Sequence, residues 1–349
     1  MALRIGIIAD DFTSAMDGAG PFIAYRAVDH ATVIVDGVSA PSGAELLSID
    51  IDSRSRPARE AAELARAACL QVRGAAVLYK TVDSTLRGHL PIEIEATWTA
   101  SGRRRVIFAP AFPAAGRTTR NGVQLLDGVD LGDSSFAGDA RQAVATGKIE
   151  QLLAPLTGIE IRDAENDDDL DAIVASADDA DVLWVGSPGL AHALARKHRQ
   201  ANAAPRQLIA PIQRIAVIVG SMHAVNQTQL QRLRDYLGPA NDVAIATAPP
   251  VTTAVTPLAA RAVGDALARQ ARALLAAGYE GLIVTGGETV RAVAAGLDEP
   301  LVEVLDELAP GIVRGRIASG TMLVTKAGGF GDADTLVALY KHLTQGDSA

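Results

Sequence analysis

Short, mostly apolar runs alternate with longer stretches of helical period along this chain. RIGIIA, ATVIV, LLSIDI, AVLYKT, RVIFAP and VLWVGS read as buried strands in the first part, and IAVIVGS, VAIATA, GLIVTGG and MLVTKAGG in the second. Between them lie Ala-rich segments such as SRPAREAAELARAACLQVR, whose apolar residues recur at helical spacing. Strand–helix alternation of this kind predicts right-handed βαβ units. The expected fold is α/β with two domains, each a mainly parallel sheet flanked by helices in a three-layer sandwich, and an active site in the interdomain cleft. The polar, Pro-containing stretch RKHRQANAAPRQLIAPIQR has no clear period and places the boundary at about residue 207. The expected domains are therefore 1–207 and 208–349. The acidic run DAENDDDLDAIVASADDAD reads as a solvated helix with its flanks.

Composition narrows the class. The 349 residues are 48% hydrophobic but only 4% aromatic, so Ala, Val, Leu and Ile fill the cores. A formal charge of −9 opposes binding to nucleic acid or anionic lipid, although a local Arg/Lys cluster can still hold a small anion. The lone Cys69, in a helical stretch, reads as a small buried hydrophobe. No apolar run reaches the roughly 18 residues of a membrane span, and the apolar start ends in Asp10 and Asp11, which predicts a first strand in a cytoplasmic protein rather than a signal peptide. The number of subunits stays open, a homo-oligomer included.

Ligands of open parallel sheets sit beyond the carboxyl ends of the strands, so polar residues just after apolar runs are the candidates. Asp10 and Asp11 follow RIGIIA. One of them can cap the next helix, and the other can accept a proton from a substrate hydroxyl. Arg54 follows LLSIDI and can fork onto a carboxylate or form a surface ion pair. Lys80, Asp83, Ser84 and Arg87 follow the next strand, with Gly88 beside them; two cations and a carboxylate at one strand end suit a ligand bearing an acid group and hydroxyls. The loop with Arg117, Thr118, Thr119 and Arg120 either closes over a substrate or only connects two elements.

Three later strands end in small residues: Gly220 and Ser221; Thr285, Gly286, Gly287, Glu288 and Thr289; and Lys326 with Gly328, Gly329 and Gly331. Such ends let backbone N–H groups approach phosphate beside helix N-termini, and three in one domain predict a nucleotide crevice. Lys326 either neutralises phosphate charge or is an ordinary strand-end lysine. The P-loop pattern GxxxxGK[ST] and the dinucleotide pattern GxGxxG after the first strand are absent. HxxxH, CxxC and GxSxG are absent too, so zinc and hydrolase chemistry have no support. His89, His192 and His223 are isolated and read as structural or exposed.

Nearly end to end the chain resembles the four-carbon acid sugar kinases, through IADDFTSAMDGA, DSRSRP, KTVDSTLRGH, FAPAFPAAGRTTRNG, VGSPGLA, VGSMHAVNQTQ, TGGET, LAPGI and KAGGFG in that order. The resemblance implies an N-terminal acid-sugar-binding domain and a C-terminal ATP-binding domain. The implied activity is ATP-dependent phosphorylation of the terminal hydroxyl of threonate, erythronate or 3-oxo-tetronate. Asp11, Arg54, Lys80, Asp83, Ser84 and Arg87 would face the sugar acid, with Asp11 and Asp83 the candidate bases. Ser221, Gly286, Gly287, Glu288, Thr289 and Gly329 would face ATP. Phosphoryl transfer also calls for Mg²⁺, whose ligands the sequence does not name. The stretch from Ser221 to Thr285 is shorter than the family pattern. A non-catalytic sensor using the same pockets, or a dehydrogenase of the same acids, are the competing readings.

Overall fold

The structure is a computed structural model that describes residues 2–35, 43–134, 137, 144–201, 208–220, 224–238, 243–248 and 257–347. Residue 207, Ser221 and His223 lie outside the described residues. The chain divides into two compact units, Met1–Ala201 and Asn202–Ala349.

In chain order the first unit contains β1 (Ile5–Ala9), α1 (Phe12–Ala24), β2 (Ala31–Ile34), β3 (Leu46–Asp50), α2 (Ala58–Val72), β4 (Val77–Thr81), α3 (Leu90–Ser101) and β5 (Arg105–Ala109). It continues with β6 (Arg117–Arg120), β7 (Val123–Leu126), β8 (Val129–Asp130), α4 (Ile149–Leu153), β9 (Ile159–Ile161), α5 (Asp167–Ala175), β10 (Val182–Gly186) and α6 (Pro188–Lys197). Its main strands run in the order β2-β3-β1-β4-β10-β5-β9, and every pairing among them is parallel. β1, β3, β4 and β10 are buried along their whole length, as strands covered on both faces must be. From β1 the chain first builds outward to β2 and β3 and then crosses to β4 on the other side. The β1/β4 boundary is thus a topological switch point, where the loops leaving the strands diverge and open a crevice.

The second unit holds β11 (Ile215–Val219), α7 (Ala224–Leu237), β12 (Ala244–Thr247), α8 (Pro257–Ala276), β13 (Gly281–Thr285), α9 (Gly287–Gly296), β14 (Leu301–Ala309), β15 (Ile312–Ile317), β16 (Met322–Lys326) and α10 (Thr335–Gln345). Its order is β12-β11-β13-β16-β15-β14, with a second switch point between β11 and β13. The pairings among β12, β11, β13 and β16 are parallel, whereas β14, β15 and β16 pair antiparallel. One core cluster joins Ile215, Val217, Val219, Ile283 and Val324 of the strands to Leu230 and Leu233 of α7 and Leu336, Leu339 and Leu343 of α10.

The acidic run forms α5, opened by a capping box between Asn166 and Asp169. Cys69 is buried against the Thr97 carbonyl, and burial pushes its thiol up to about 11, so it is inert as a nucleophile. The loop after β5 is a β6–β7–β8 meander. No described helix is long and apolar enough to cross a membrane.

Candidate active site

Three adjacent strands, β3, β1 and β4, deliver the polar loops of the first unit to one place. Asp11 is the N-cap of α1, and its Oδ1 accepts from the Ser14 amide at 2.7 Å and the Thr13 hydroxyl at 3.0 Å. Asp10, one residue earlier, is almost fully buried. Arg54 reaches across from the loop after β3: its Nε and Nη2 donate to the two Asp10 oxygens at 2.8 and 3.0 Å. Its Nη1 lies 2.6 Å from Asp11 Oδ2, and its Nη2 lies 3.9 Å from Asp83 Oδ1. Of the two readings left open for Arg54, a fork onto a carboxylate and a surface ion pair, the fork is present, and its carboxylate is the protein's own Asp10.

Asp83, after β4, is the hub of the third loop. Arg87 meets it with two parallel contacts, Nε to Oδ2 at 2.8 Å and Nη2 to Oδ1 at 2.9 Å. The Thr85 hydroxyl and amide and the Arg87 amide also donate to Asp83 Oδ2. Burial opposes its ionisation, but the Arg87 and Arg54 guanidiniums outweigh burial and hold the carboxyl well below the usual range. Asp10 behaves in the opposite way: burial dominates over Arg54 and raises its pKa. The loop closes on Gly88, whose φ of 102° favours glycine and whose added Cβ would lie 3.2 Å from Asp10 Oδ2.

Lys80 sits elsewhere than its sequence position implies. It is 1% exposed, and its Nζ contacts Glu93 Oε2 of α3 at 2.9 Å and the Thr81 carbonyl at 2.9 Å. Ser53 shares the same acid, donating to Glu93 Oε1 at 2.6 Å. Lys80 and Glu93 thus brace the loops after β3 and β4 from below, and the ammonium is turned away from solvent. Ser84 is buried in the β4 loop beside Asp83. Its carbonyl accepts from Gln124 Nε2 of β7 at 3.2 Å, and Gln124 Oε1 accepts from the Thr119 hydroxyl at 2.6 Å. The first bond fastens the meander to the candidate site, and the second ties β6 to β7 and orients the Gln124 amide. Arg117, at the start of β6, is 8% exposed; burial lowers its pKa, against an opposing pull from Asp83. Arg120 instead pairs with Glu165 at the surface. His89 contacts the Arg56 carbonyl, and His192 packs on Phe112 and Tyr25, so neither joins the cluster.

The second unit repeats the arrangement with small residues. β11, β13 and β16 are adjacent, so Gly220, Gly286 to Thr289 and the turn from Ala327 to Gly331 all leave one sheet edge. Gly220 N donates to the Thr285 carbonyl at 3.3 Å and Gly286 N to the Lys326 carbonyl at 3.0 Å. Gly286 caps α9 without a side chain, and Glu288 stands in the helix's first turn. A Cβ on Gly220 would fall 1.7 Å from Thr289 Oγ1, so only glycine permits this approach. The expected strand-end lysine, Lys326, is fully buried and donates to Asn226 of α7 and to the carbonyls of Ala327 and Phe330. Among the described residues no cluster of three or more His, Cys, Asp or Glu could hold a metal ion.

Sequence reasoning missed Glu93, Gln124 and Asn226, the partners that hold these loops. Each lies on a different element from its loop, and spacing along the chain carries no signal for such contacts.

Comparison with known proteins now defines the class. Residues 5–162 match the family model of a sugar-binding N-terminal domain, and residues 237–336 that of a nucleotide-binding C-terminal domain. The D-threonate kinase of Bordetella bronchiseptica is 32% identical, over 95% of this chain and 96% of its own. The 3-oxo-tetronate kinase of Brucella melitensis is 26% identical, over 94% of this chain and 93% of its own. A solved Salmonella typhimurium structure, described as a candidate tRNA synthase, has a TM-score of 0.78 at 22% identity, covering 97% of this chain and 99% of that one; it speaks for the fold alone. The chain belongs to the four-carbon acid sugar kinase family.

Proposed function

We propose that this chain is an ATP-dependent kinase that phosphorylates the terminal hydroxyl of a four-carbon sugar acid, and that D-threonate is its preferred acceptor. The observation that carries the reading is the convergence of Asp11, Arg54, Asp83 and Arg87 at the β1/β4 switch point, with a small-residue phosphate edge at the β11/β13 switch point of the other unit. D-threonate kinases at 29–32% identity, against 26–28% for the 3-oxo-tetronate kinases that match over most of the chain, favour the first acid. Residues 1–207 would bind the sugar acid and 208–349 the nucleotide. Arg87 and Ser84 would hold the acid's carboxylate and a hydroxyl, while Arg54 and Lys80 set the positions of the carboxylates around them. Gly286, Gly287, Glu288, Thr289 and Gly329, together with Ser221, would cradle ATP.

The chemistry needs little covalent help from protein. The acceptor oxygen attacks the γ-phosphorus, its bond to ADP breaks, and the hydroxyl proton passes to a carboxylate. Asp11 fits that last role better than Asp83. Asp83 accepts from Arg87 and Thr85 and is held strongly acidic, which makes it a weak base. Mg²⁺ would enter as the companion of ATP; such ions take few protein ligands and are bound largely through phosphate and water, so the lack of an acidic cluster among the described residues is no obstacle. Its need for ATP favours a cytoplasmic location.

The deciding experiment is an ATP-coupled assay across the stereoisomers of threonate and erythronate and their oxo derivatives. The highest kcat/KM is expected with D-threonate. Binding of these acids without ATP consumption would overturn the kinase in favour of a sensor.

A further inference from the structure

Lys326 ends β16 with no exposed surface. Its ammonium has three N–H bonds, and all three are used: on Asn226 Oδ1 at 2.8 Å, Phe330 O at 3.0 Å and Ala327 O at 3.1 Å. Every acceptor is neutral. Asn226 is itself fully buried on α7, and Gln229, one turn further, donates to the carbonyls of Phe330 and Asp332 at 3.1 and 2.7 Å. Lys326, Asn226 and Gln229 together fix the backbone of the turn after β16.

A buried cation without a counter-charge is costly, and an apolar residue of similar size would fill the same space more cheaply. Among the described residues none of the neighbouring elements neutralises it. β13 carries no charged residue. On β15, Arg314 is engaged by Asp306 and Asp347. The Asp332 carboxylate accepts from the Thr335 hydroxyl and the Asp334 amide, Asp334 heads α10, and Glu288 stands at the start of α9. On α7 the charged residues Arg232, Arg234 and Asp235 follow Gln229, and among the described residues Lys326 is held by the three neutral acceptors alone. Burial alone draws the lysine down to about 7.

We propose that Lys326 is a positioning residue for the nucleotide: it holds the Ala327–Gly331 turn in shape through three hydrogen bonds, and the bound phosphates supply its missing counter-charge, so that nucleotide binding draws a proton onto the amine. The proposal rests on the reading of this turn as part of the nucleotide site. Below the free-state pKa the lysine already carries its charge. Above it the amine is neutral and has one donor fewer, so binding must first bring in a proton.

The test is calorimetric titration with ADP, which binds without turnover, between pH 7.5 and 9, where ADP no longer titrates. Wild-type affinity is expected to fall by up to about tenfold per pH unit, with proton uptake visible as a heat that changes with the ionisation enthalpy of the buffer. Asn226→Asp keeps the acceptor and adds a counter-charge, so it should flatten the pH dependence and abolish the uptake. Lys326→Met should weaken ADP at every pH and leave sugar-acid binding intact. A flat wild-type profile without proton uptake, or wild-type ADP affinity in Lys326→Met, overturns the proposal. If Lys326→Met does not fold, the pH profiles of wild type and Asn226→Asp decide alone. Gly220→Ala separates the two levels. ADP binding lost there but kept in Lys326→Met sinks only the role of the lysine; ADP binding kept in both sinks the nucleotide site.

Discussion

Three carboxylates within one small cluster take three different chemical characters from their surroundings. Asp10 is buried and forked by Arg54, which suits a structural counter-ion. Asp83 is saturated by Arg87 and Thr85 and stays ionised across the physiological range. Asp11 spends Oδ1 on the helix cap and presents Oδ2 to Arg54 Nη1 at 2.6 Å. Asn caps helices as well as Asp does, so Asp11→Asn removes the charge and keeps the cap. It should lower kcat by about 100-fold or more while ATP affinity stays nearly unchanged, as loss of a general base does. Steady-state kinetics of Asp11→Asn and Asp83→Asn side by side provide the check, and a near-normal Asp11→Asn beside a dead Asp83→Asn would reverse the two roles. Arg87→Lys keeps the charge but loses the fork that matches Asp83 and a bound carboxylate. KM for the sugar acid should rise about tenfold with KM for ATP unmoved; an unchanged acid KM would remove Arg87 from the site.

At the scale of elements, the alternation of apolar runs and helical stretches made the parallel strands and their polar ends legible, because strands buried on both faces leave near-continuous apolar signatures. The order of the strands was not legible. The sheet brings β3, β1 and β4 side by side, and that neighbourhood turns three separate polar loops into one cluster. The meander β6–β7–β8 was hidden because its strands are only two to four residues long and β6 is wholly polar, and Gln124 secures it through contacts far apart in sequence. The pair β14 and β15, by contrast, carries a period-two pattern around the Pro310–Gly311 turn that reads as a hairpin once looked for. The close approach of Gly220 to Thr289 makes the start of α9 sensitive to a single methyl group. In Gly220→Ala the new methyl meets Thr289 and must displace the first turn of α9. KM for ATP should rise at least about tenfold, because a small misplacement of phosphate-binding backbone is costly to binding and transfer. Unchanged nucleotide affinity in a normally melting variant would take the start of α9 out of the site.

Over the whole molecule, the sugar acid and the nucleotide are assigned to different compact units, and this division has measurable consequences. The alignment to the Bordetella relative runs over 398 residues, more than this chain's 349, so that relative carries segments this chain does without. The stretch between Ser221 and Thr285 is where we expect the shortening. A trimmed nucleotide unit can still bind ATP if the phosphate edge at β11, β13 and β16 supplies most of the affinity. Arg87 and Gly220 belong to different units, and the contacts described above, Arg87 with Asp83 and Gly220 with Thr285, have no residue in common. Perturbations at such sites add to within roughly half a kcal/mol. The double variant Arg87→Lys, Gly220→Ala should therefore show the acid affinity of the first single variant and the ADP affinity of the second, each measured by calorimetry with the other ligand absent. An acid affinity that drops further when Gly220 is changed would mean that the nucleotide edge reaches the acid site, and the assignment of one ligand to each unit would fall.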